Sequence, residues 1–249
     1  MQASTVSVTV LGSGDAFGSG GRLQSSYLVE GERTSVLVDC GATILTALKR
    51  HGVDPERIDL VLISHLHGDH FGGLPFLLLE YIYENPRRRP LVVAGPPGVG
   101  ERTRTVFAGL FREAAAMELG FPLDFQELEP GRTKTIGSVQ VEPFRVPHEA
   151  TGVSLGFRIG IDGRHILYSG DSAWSDDFVA RSQGADLFLC ECHYYDTRVP
   201  YHMNYQELSR HVPCLGCKRL VLIHPGRQLL AASGAVAIEC AEEGKVFIL

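Results

Sequence analysis

The sequence lacks any apolar run long enough to cross a lipid bilayer. Its longest nearly uninterrupted apolar stretch is Leu74 to Leu79, whereas a transmembrane helix needs about 20 apolar residues. The first segment, Met1 to Val10, has neither the basic region nor the apolar core of a signal peptide. These two absences predict a cytoplasmic protein with no membrane partner.

Cysteine is also scarce. Six cysteines among 249 residues are too few to staple a fold with disulfides, and the thiols of a cytoplasmic protein are expected to be reduced. One pair, Cys214 and Cys217, has C-x-x-C spacing, and Cys190 with Cys192 would complete a four-thiolate zinc site. Because C-x-C is not the usual second half of such a site, we interpret the thiols as buried or idle. Metal binding by the four stays open as the alternative.

The chain has no excess of positive charge. Its 23 basic and 29 acidic residues leave a net charge of −6, which argues against a broad surface for nucleic acid or another polyanion. The dense basic cluster Arg87-Arg88-Arg89 is interpreted as a solvated loop at the end of a helix.

The remaining composition is typical of a globular α/β protein. Apolar residues make up 44% and charged residues 21%, both ordinary values, and no linker divides the chain, so we expect one domain spanning residues 1–249. Short apolar runs predict strands at Val6–Leu11, Tyr27–Val29, Ser35–Val38, Leu60–Ile63, Leu91–Ala94, Val139–Phe144, Val153–Ile161, His165–Tyr168, Leu187–Leu189, Leu220–Ile223 and Val246–Leu249. Helical spacing predicts helices at Ala42–His51, Leu74–Asn85, Gly100–Leu119, Ala173–Arg181 and Tyr205–His211. This alternation predicts sheets with helices packed on their outer faces.

Polar side chains follow several of the predicted strands. His65 comes directly after one apolar run and His224 after another, while Asp171, Glu191 and His148 stand close behind three more. Ligand sites in α/β sheets lie beyond the carboxyl ends of strands, where loops can bring several side chains together. We therefore expect these residues to share one site.

The most informative stretch is His65-Leu66-His67-Gly68-Asp69-His70. Imidazole groups two residues apart in a turn can bind one cation, and the Asp-His pair that follows indicates a second position. Imidazole and carboxylate together suit Zn²⁺ and also accept Mn²⁺ or Fe²⁺. The pattern predicts two adjacent divalent metal ions, and a histidine-rich loop without metal is the alternative.

With this motif, the sequence resembles the metallo-β-lactamase-fold hydrolases, in particular their ribonuclease Z-like phosphodiesterase branch. The segments that carry the resemblance span nearly the whole chain: Leu11-Gly12-Ser13-Gly14, Ser25-Ser26-Tyr27-Leu28, Leu37-Val38-Asp39-Cys40-Gly41, the histidine motif, Val146-Pro147-His148, Ser169-Gly170-Asp171-Ser172 and Leu222-Ile223-His224. The resemblance implies an αββα sandwich of two mixed β-sheets flanked by helices. It also implies a dinuclear metal-dependent hydrolase that acts through a metal-bridging hydroxide.

Carried over to matching positions, the resemblance implies a complete set of metal ligands: His65, His67 and His148 for the first ion, Asp69, His70 and His224 for the second, and Asp171 as the bridge. Two cations about 3.5–4 Å apart lower the pKa of a shared water toward neutrality and stabilise the attacking and leaving oxygens. Asp69 would also orient the hydroxide, and a role as metal ligand only stays open as the alternative.

Departure of an alcohol needs a proton, and a histidine with a pKa near neutrality is a suitable donor. The ribonuclease Z-like proteins carry a glutamate and a histidine for this step, which implies that His202 donates the proton and Glu191 orients it. Because Cys190-Glu191-Cys192-His193 replaces the usual surroundings, His193 stays open as the donor. Glu191 could instead be a structural carboxylate that pairs with a buried arginine.

Two further segments are interpreted structurally. Gly12-Ser13-Gly14 with Gly18, Gly20 and Gly21 is followed by a strand, whereas a phosphate-binding nucleotide loop would open a helix. We expect a glycine-rich turn beside the metal site there. Asp39-Cys40-Gly41 is interpreted as a structural turn below it.

The expected substrate is a small or cyclic phosphodiester. The relatives that process tRNA use a long arm between the positions of His148 and Asp171, where this chain has only 22 residues, and its net charge does not favour a polyphosphate partner. The alternatives are a ribonuclease Z-like tRNA 3′ endonuclease, a hydrolase of thioesters or lactones and, without catalysis, a metal-stabilised interaction domain. A homodimer stays open as the assembly.

Overall fold

Two mixed β-sheets lie face to face in the computed structural model, which describes residues 5–149 and 152–249. The first sheet contains, in spatial order, β13 (Val246–Ile248), β1 (Ser7–Gly12), β2 (Ser26–Glu30), β3 (Ser35–Val38), β4 (Leu60–Leu62), β5 (Leu91–Gly95) and β6 (Leu123–Glu127). The second contains β12 (Leu220–Ile223), β11 (Leu187–Glu191), β10 (Arg164–Tyr168), β9 (Leu155–Ile161), β8 (Val139–Arg145) and β7 (Lys134–Ile136). Residues 1–4 of the segment that lacks signal-peptide features lie outside the described residues.

Eight α-helices cover the outer faces of the sheets: α1 (Ile44–His51), α2 (Gly68–Phe71), α3 (Leu74–Tyr83), α4 (Val99–Leu110), α5 (Arg112–Ala115), α6 (Asp177–Ser182), α7 (Tyr205–His211) and α8 (Arg227–Ala231) among the described residues. In β3, Val36 and Val38 pack between the sheets, whereas Leu37 packs against helices. A strand covered on both faces has no polar side, so it appears in the sequence as a continuous apolar run. The expected αββα sandwich is therefore confirmed. Within the described part of the chain, no helix is both long enough and apolar enough to span a membrane.

Strand direction determines where the site forms. In the first sheet β3, β4, β5 and β6 are parallel, and β1 has the same direction because β2 is antiparallel to both neighbours. In the second sheet β8, β10, β11 and β12 share one direction, since β9 is antiparallel to both of its neighbours. The loops beyond the carboxyl ends of these strands carry the predicted site residues, as in other α/β sheets.

Some element predictions were incomplete. The sequence analysis missed β6 and β7, which lie at sheet edges and carry exposed polar residues that interrupt the apolar pattern. It also joined residues 100–119 into one helix, but Phe111 has φ −136° and ψ 67°, which separates α4 from α5. The short helices α2 and α8 were missed because four or five residues show too little periodicity.

The solvated-loop interpretation of the arginine cluster was wrong for Arg87. Its side chain is buried, and its guanidinium donates hydrogen bonds to the carbonyl oxygens of Ile58 at 2.7 Å and Pro90 at 2.8 Å. Arg89 forms an ion pair with Asp59. Arg87 and Arg89 therefore stabilise the connection between α3 and β5, and their positive charges interact with groups of the chain itself.

Candidate metal centre

Three imidazole groups converge beyond β4 and β8. His65 and His67 follow β4, and His148 follows β8 across the gap between the sheets. The Nδ1 atom of His67 lies 3.1 Å from Nε2 of His65 and 3.1 Å from Nε2 of His148. One ring nitrogen cannot donate a proton to both neighbours, so this arrangement suits a cation that accepts all three lone pairs.

Each of these imidazoles is oriented by a second contact. The Ser64 hydroxyl donates to Asp39 at 2.8 Å and therefore accepts from Nδ1 of His65 at 3.0 Å, which leaves Nε2 of His65 as the free acceptor. Nδ1 of His148 donates to the carbonyl oxygen of Tyr201 at 3.1 Å. Such partners fix the tautomer of metal-binding histidines.

The orientation of His67 depends on Glu149. Nε2 of His67 lies 3.1 Å from a Glu149 carboxylate oxygen, so the proton belongs on Nε2 and the lone pair on Nδ1 faces the other two imidazoles. The sequence analysis identified none of the orienting groups, because nothing in the local pattern around Ser64, Glu149 or Tyr201 distinguishes them.

A second group contains Asp69, His70, Asp171 and His224, all buried and with ligand atoms within 4.8 Å of one another. Nε2 of His224 lies 3.1 Å from Asp69 Oδ2, and Nε2 of His70 lies 3.1 Å from Asp171 Oδ1. Asp171 also extends toward the first group, since its Oδ2 is 3.9 Å from Nε2 of His148. The structure thus brings together all seven predicted ligands, with Asp171 between the two groups.

The donor atoms of the second group fit a metal ion. His70 Nε2 and Asp171 Oδ1 are buried and make no hydrogen bond of acceptable geometry among the described residues. Buried polar atoms without partners are rare and destabilising. Imidazole nitrogens with anionic carboxylates are the ligand set of Zn²⁺, Mn²⁺ and Fe²⁺ sites, so these residues could satisfy their ligand atoms by binding such an ion.

Asp39 supports this group from below. Its carboxylate accepts hydrogen bonds from the backbone N–H of Ser64 at 2.7 Å and from Nδ1 of His70 at 2.7 Å, and it also accepts from the Tyr168 hydroxyl. Nε2 of His70 is therefore the ring atom left for the centre. The sequence analysis placed Asp39 in a structural turn; it lies instead in the loop after β3, before the turn at Ala42 and Thr43, and its carboxylate orients a candidate ligand.

The backbone is strained at the same place. Asp39 has φ 56°, His224 has φ 57° and Tyr201 has φ 74°, values in the left-handed region that non-glycine residues rarely adopt. Gly170, with φ 60°, precedes Asp171, and a Cβ atom there would lie 2.8 Å from the Leu155 carbonyl oxygen. Strain of this kind persists only where the surrounding structure enforces it, and it is concentrated at functional sites.

The electrostatics of the centre favour cations. Burial alone raises the pKa of Asp171, but the charges of His224 and His70 lower it well below the usual range. For Asp69, burial alone likewise raises the pKa, but the hydrogen bond from His224 and the nearby His70 imidazole outweigh it, so the pKa is lowered. Both carboxylates are therefore anionic at neutral pH. Burial lowers the pKa of His65 far below its usual value, which keeps that imidazole neutral and able to bind metal.

Glu191 and His202 form a hydrogen-bonded pair beside the centre. Nδ1 of His202 donates to Glu191 Oε1 at 2.6 Å, and the backbone N–H of Met203 donates to Oε2 at 2.7 Å. The His202 ring lies 4.9 Å from that of His148, centroid to centroid. Glu191 is fully buried and pairs with no arginine in the part of the chain that the structure describes, contrary to the alternative considered from the sequence.

The pKa values of this pair suit a proton donor. Burial lowers the pKa of His202, but the hydrogen bond and charge of Glu191 raise it above the usual value. His193, the alternative donor, makes no such pair; burial and the nearby rings of His224 and His202 lower its pKa to about 4. At neutral pH a larger fraction of His202 than of His193 is therefore protonated and able to donate. The ligand atoms of Glu191 and His202 also lie within 4.8 Å of those of Asp171 and His224, but both Glu191 oxygens already accept hydrogen bonds.

The cysteines do not form a metal site among the described residues. Candidate metal-binding groups in this part of the chain contain only histidine, aspartate and glutamate. Cys190 and Cys192 are buried, Cys214 is exposed and Cys217 is half-buried. Burial raises the pKa of Cys190 well above its usual value, which suits an inert thiol.

Comparisons with known proteins agree with this architecture. A family model described as anti-Pycsar protein Apyc1 matches residues 6–247. The probable metallo-hydrolase YhfI of Bacillus subtilis is 28% identical over 223 residues, which cover 87% of this chain and 86% of YhfI. The crystal structure of YhfI, a metallo-β-lactamase-fold protein, superposes with a TM-score of 0.78 at 24% identity and covers 99% of this chain and 100% of that one.

Two further relatives are ribonucleases. Ribonuclease Z of Mycobacterium bovis is 27% identical over 237 residues, covering 87% of this chain and 85% of the relative. The crystal structure of human tRNase Z, short form, gives a TM-score of 0.79 at 26% identity and covers 97% of this chain and 98% of that one. The resemblance inferred from the histidine motif is confirmed at the level of the fold and of the metallo-hydrolase relatives.

Proposed function

Because the chain belongs to the family described as anti-Pycsar protein Apyc1 and has the metallo-β-lactamase fold, we propose that it is a dinuclear metal-dependent phosphodiesterase acting on small or cyclic phosphodiesters. The observation that carries the proposal is the pair of His/Asp groups joined by Asp171, with the Glu191–His202 pair beside them. Metallo-hydrolase relatives support the coarser assignment to metal-dependent hydrolases.

The assigned ligands are those expected from the sequence: His65, His67 and His148 for one ion, Asp69, His70 and His224 for the other, and Asp171 for both. The chemistry that two divalent ions would supply here is activation of water and stabilisation of negative charge on the phosphate. Zn²⁺ suits this donor set first, and Mn²⁺ and Fe²⁺ remain candidates.

The chain's own residues would handle orientation and protons. Asp69 is anionic and accepts hydrogen bonds, so it can orient the attacking water as well as bind metal. His202 would transfer its proton to the oxygen of the leaving alcohol as the phosphorus–oxygen bond breaks, and Glu191 would hold its ring in position. Glu191 is a positioning residue in this scheme.

A tRNA 3′ endonuclease is the second candidate, and it is favoured by similarity to ribonuclease Z. Against it, the described part of the interval between His148 and Asp171 consists mainly of the β9–β10 hairpin. Arg87 and Arg89 are also engaged within the chain, which removes most of the dense basic cluster as a phosphate-binding surface.

The proposal is tested by elemental analysis of the purified protein together with a substrate panel. The panel contains a bis-aryl phosphodiester, a cyclic nucleotide, a precursor tRNA, a thioester and a lactone. We expect two divalent ions per chain and preferential turnover of the first two substrates. Turnover of only the tRNA, or of only the thioester or lactone, would replace the proposed substrate class with the corresponding alternative.

Metal-ligand variants connect the ions to turnover. His67→Ala should reduce the bound metal by about one ion per chain, and Asp171→Ala should reduce it further, because Asp171 lies between both groups. Both variants should lose hydrolysis, whereas His165→Ala, which changes a histidine outside the three candidate metal-binding groups, should retain metal and activity. A fully active Asp171→Ala protein without metal would contradict the site.

A further inference from the structure

The side chain of Gln228, on α8, holds the loop that carries His202. Its Oε1 atom accepts hydrogen bonds from the backbone N–H of Tyr195 at 2.9 Å and from those of Asp196 and Thr197, each at 3.4 Å. Its Nε2 atom donates to Asp196 Oδ1 and to Thr197 Oγ1, each at 2.8 Å. The carbonyl oxygen and both hydrogens of one amide are therefore engaged by a single short segment.

This segment belongs to the connection between β11 and α7, residues 192–204, which we call the donor loop. The ends of the donor loop are tied together, since the backbone N–H of Tyr205 donates to the carbonyl oxygen of Tyr194 at 2.8 Å. Between these ends, residues 196–198 are exposed to solvent. Gln228 therefore fixes the donor loop where it leaves the body of the protein.

The far side of the donor loop ends in a strained turn. Val199 and His202 form an antiparallel bridge, and Tyr201 between them has φ 74°, a conformation that favours glycine at the third position of a β-turn. Such strain persists only where the surrounding contacts enforce it. The 2.6 Å hydrogen bond from His202 to Glu191 starts directly after this turn, so the position of the His202 ring depends on how firmly the donor loop is held.

The helix that carries Gln228 is itself anchored beside the candidate metal centre. α8 begins three residues after His224, and the backbone N–H of Gly226 donates to the carbonyl oxygen of His193 at 2.9 Å. A Cβ atom at position 226 would lie 2.6 Å from Nε2 of His193, so this close approach needs a residue without a side chain. Gln228 thus connects the donor loop to a helix whose start is fixed next to a candidate metal ligand.

We propose that Gln228 is a positioning residue for proton transfer: its amide holds the donor loop so that the His202 ring stays against Glu191 and beside the metal centre. The inference rests on the proposed phosphodiesterase function and adds a residue that acts through His202. A displacement of about 1 Å at a reacting group can reduce the rate about 100-fold. Because the ends of the donor loop stay tied when Gln228 is replaced, we expect a smaller loss.

The first test is Gln228→Met, which keeps the length of the side chain and removes its hydrogen bonds. At saturating metal it should lower kcat about tenfold for a cyclic nucleotide, whose leaving oxygen needs a proton, and less than about threefold for bis(p-nitrophenyl) phosphate. In a His202→Ala background it should cause little further loss with the cyclic nucleotide, because both changes act through one group. Gln183→Met, which removes a single hydrogen bond to Val179 at the end of α6, is the matched control. Equal losses on the two substrates, or additive losses in the double variant, would overturn the inference.

A rescue experiment distinguishes the contact from a general effect on α8. Gln228→Glu places a carboxylate oxygen where Nε2 now donates to Asp196 Oδ1, so it should impair turnover of the cyclic nucleotide as Gln228→Met does. Adding Asp196→Asn exchanges donor and acceptor between the two side chains and should restore most of the lost rate. A rate that stays low in this double variant would contradict the contact on which the inference depends.

A measurement without turnover separates this inference from the proposed function. In the zinc-loaded protein, the Nδ1 proton shared with Glu191 should give a downfield proton NMR signal, assigned by its disappearance in His202→Ala. This signal should broaden or vanish in Gln228→Met and persist in Gln183→Met, with the proton between His70 and Asp39 as the internal reference. Its loss without turnover of any diester would support the positioning role and reject the phosphodiesterase. An unchanged signal in Gln228→Met would overturn the positioning role alone.

Discussion

The sharpest test of the chemistry is the replacement of His202 by alanine. The His202 ring is held by a 2.6 Å hydrogen bond to Glu191, which is fully buried. A positioned general acid contributes roughly 10²- to 10⁴-fold to rate, or about 3–5 kcal/mol in the barrier. Because the His202 side chain is 26% exposed, water can replace it in part, and we expect His202→Ala to lie in the lower half of that range, about 10²- to 10³-fold.

The assay compares leaving groups. With a cyclic nucleotide, the leaving oxygen is an alkoxide that requires a proton, so kcat should fall by the full amount. With bis(p-nitrophenyl) phosphate, the departing nitrophenolate is a weak base, and the loss should be below about tenfold. His165→Ala serves as the control histidine variant, and thermal melting checks that each protein is folded. Equal losses on the two substrates would refute the assignment of His202 as the acid.

A companion variant tests the role of Glu191 through pH. The Glu191 carboxylate raises the pKa of His202, so Glu191→Gln should lower that pKa and deplete the protonated donor at a lower pH. The alkaline limb of the kcat/KM profile for the cyclic nucleotide should therefore move to lower pH. An unmoved limb would mean that Glu191 does not act through His202.

Two further predictions address the supports of the site and of the fold. Asp39→Asn should weaken metal binding by about 10- to 100-fold in chelator competition, because Asp39 orients His70; Asp162→Asn, at another position with positive φ but in the β9–β10 turn, should not. Asp186 supports the fold rather than the site. Burial alone would raise the pKa of Asp186, but hydrogen bonds from Lys218 and from the backbone N–H of His165 outweigh burial, so the pKa is lowered in the folded state. The Asp186 carboxylate therefore stabilises the fold above the pKa it has in the unfolded chain, and this stabilisation is lost as the pH falls. Asp186→Asn should lower the melting temperature at pH 7. The melting temperature of this variant should also fall less steeply than that of the parent protein between about pH 5 and pH 2. Identical melting curves for the two proteins across this range would contradict the role of Asp186.

Strands that are buried on both faces were predicted well from the sequence. The strands at Ser35–Val38 and Leu220–Ile223 have the bounds predicted for them, because a strand covered on both faces is apolar at nearly every position. Edge strands carry no such signal: β7 consists of Lys134, Thr135 and Ile136. Gly109, in the last turn of α4, stands two residues before the break at Phe111, but a single glycine inside a helical pattern does not by itself predict where the helix ends.

The candidate ligands were predictable, but their orientation was not. His65, His67, Asp69 and His70 stand together in the sequence, and their residue types alone indicate metal binding. Their orientation depends on contacts made over long sequence separations, such as His70 with Asp39 and His148 with Tyr201. Asp39 stands in one of the segments that carry the resemblance and Glu149 directly follows His148, but only the fold reveals which imidazole each carboxylate contacts.

Each of the two sheets supplies a different set of candidate ligands to the metal centre. One sheet supplies the histidine motif through the loop after β4, and the other supplies His148, Asp171 and His224 through separate loops after β8, β10 and β12. The apolar core between the sheets ends below these loops, so the upper contacts between them are made by charged and polar groups. An ion that binds ligands from both sheets would join the loops where apolar packing stops, because its binding free energy is available only to the folded arrangement. The strained φ values at Asp39 and His224 fit this view: the backbone is held in an unfavourable conformation at the points where the two halves must meet.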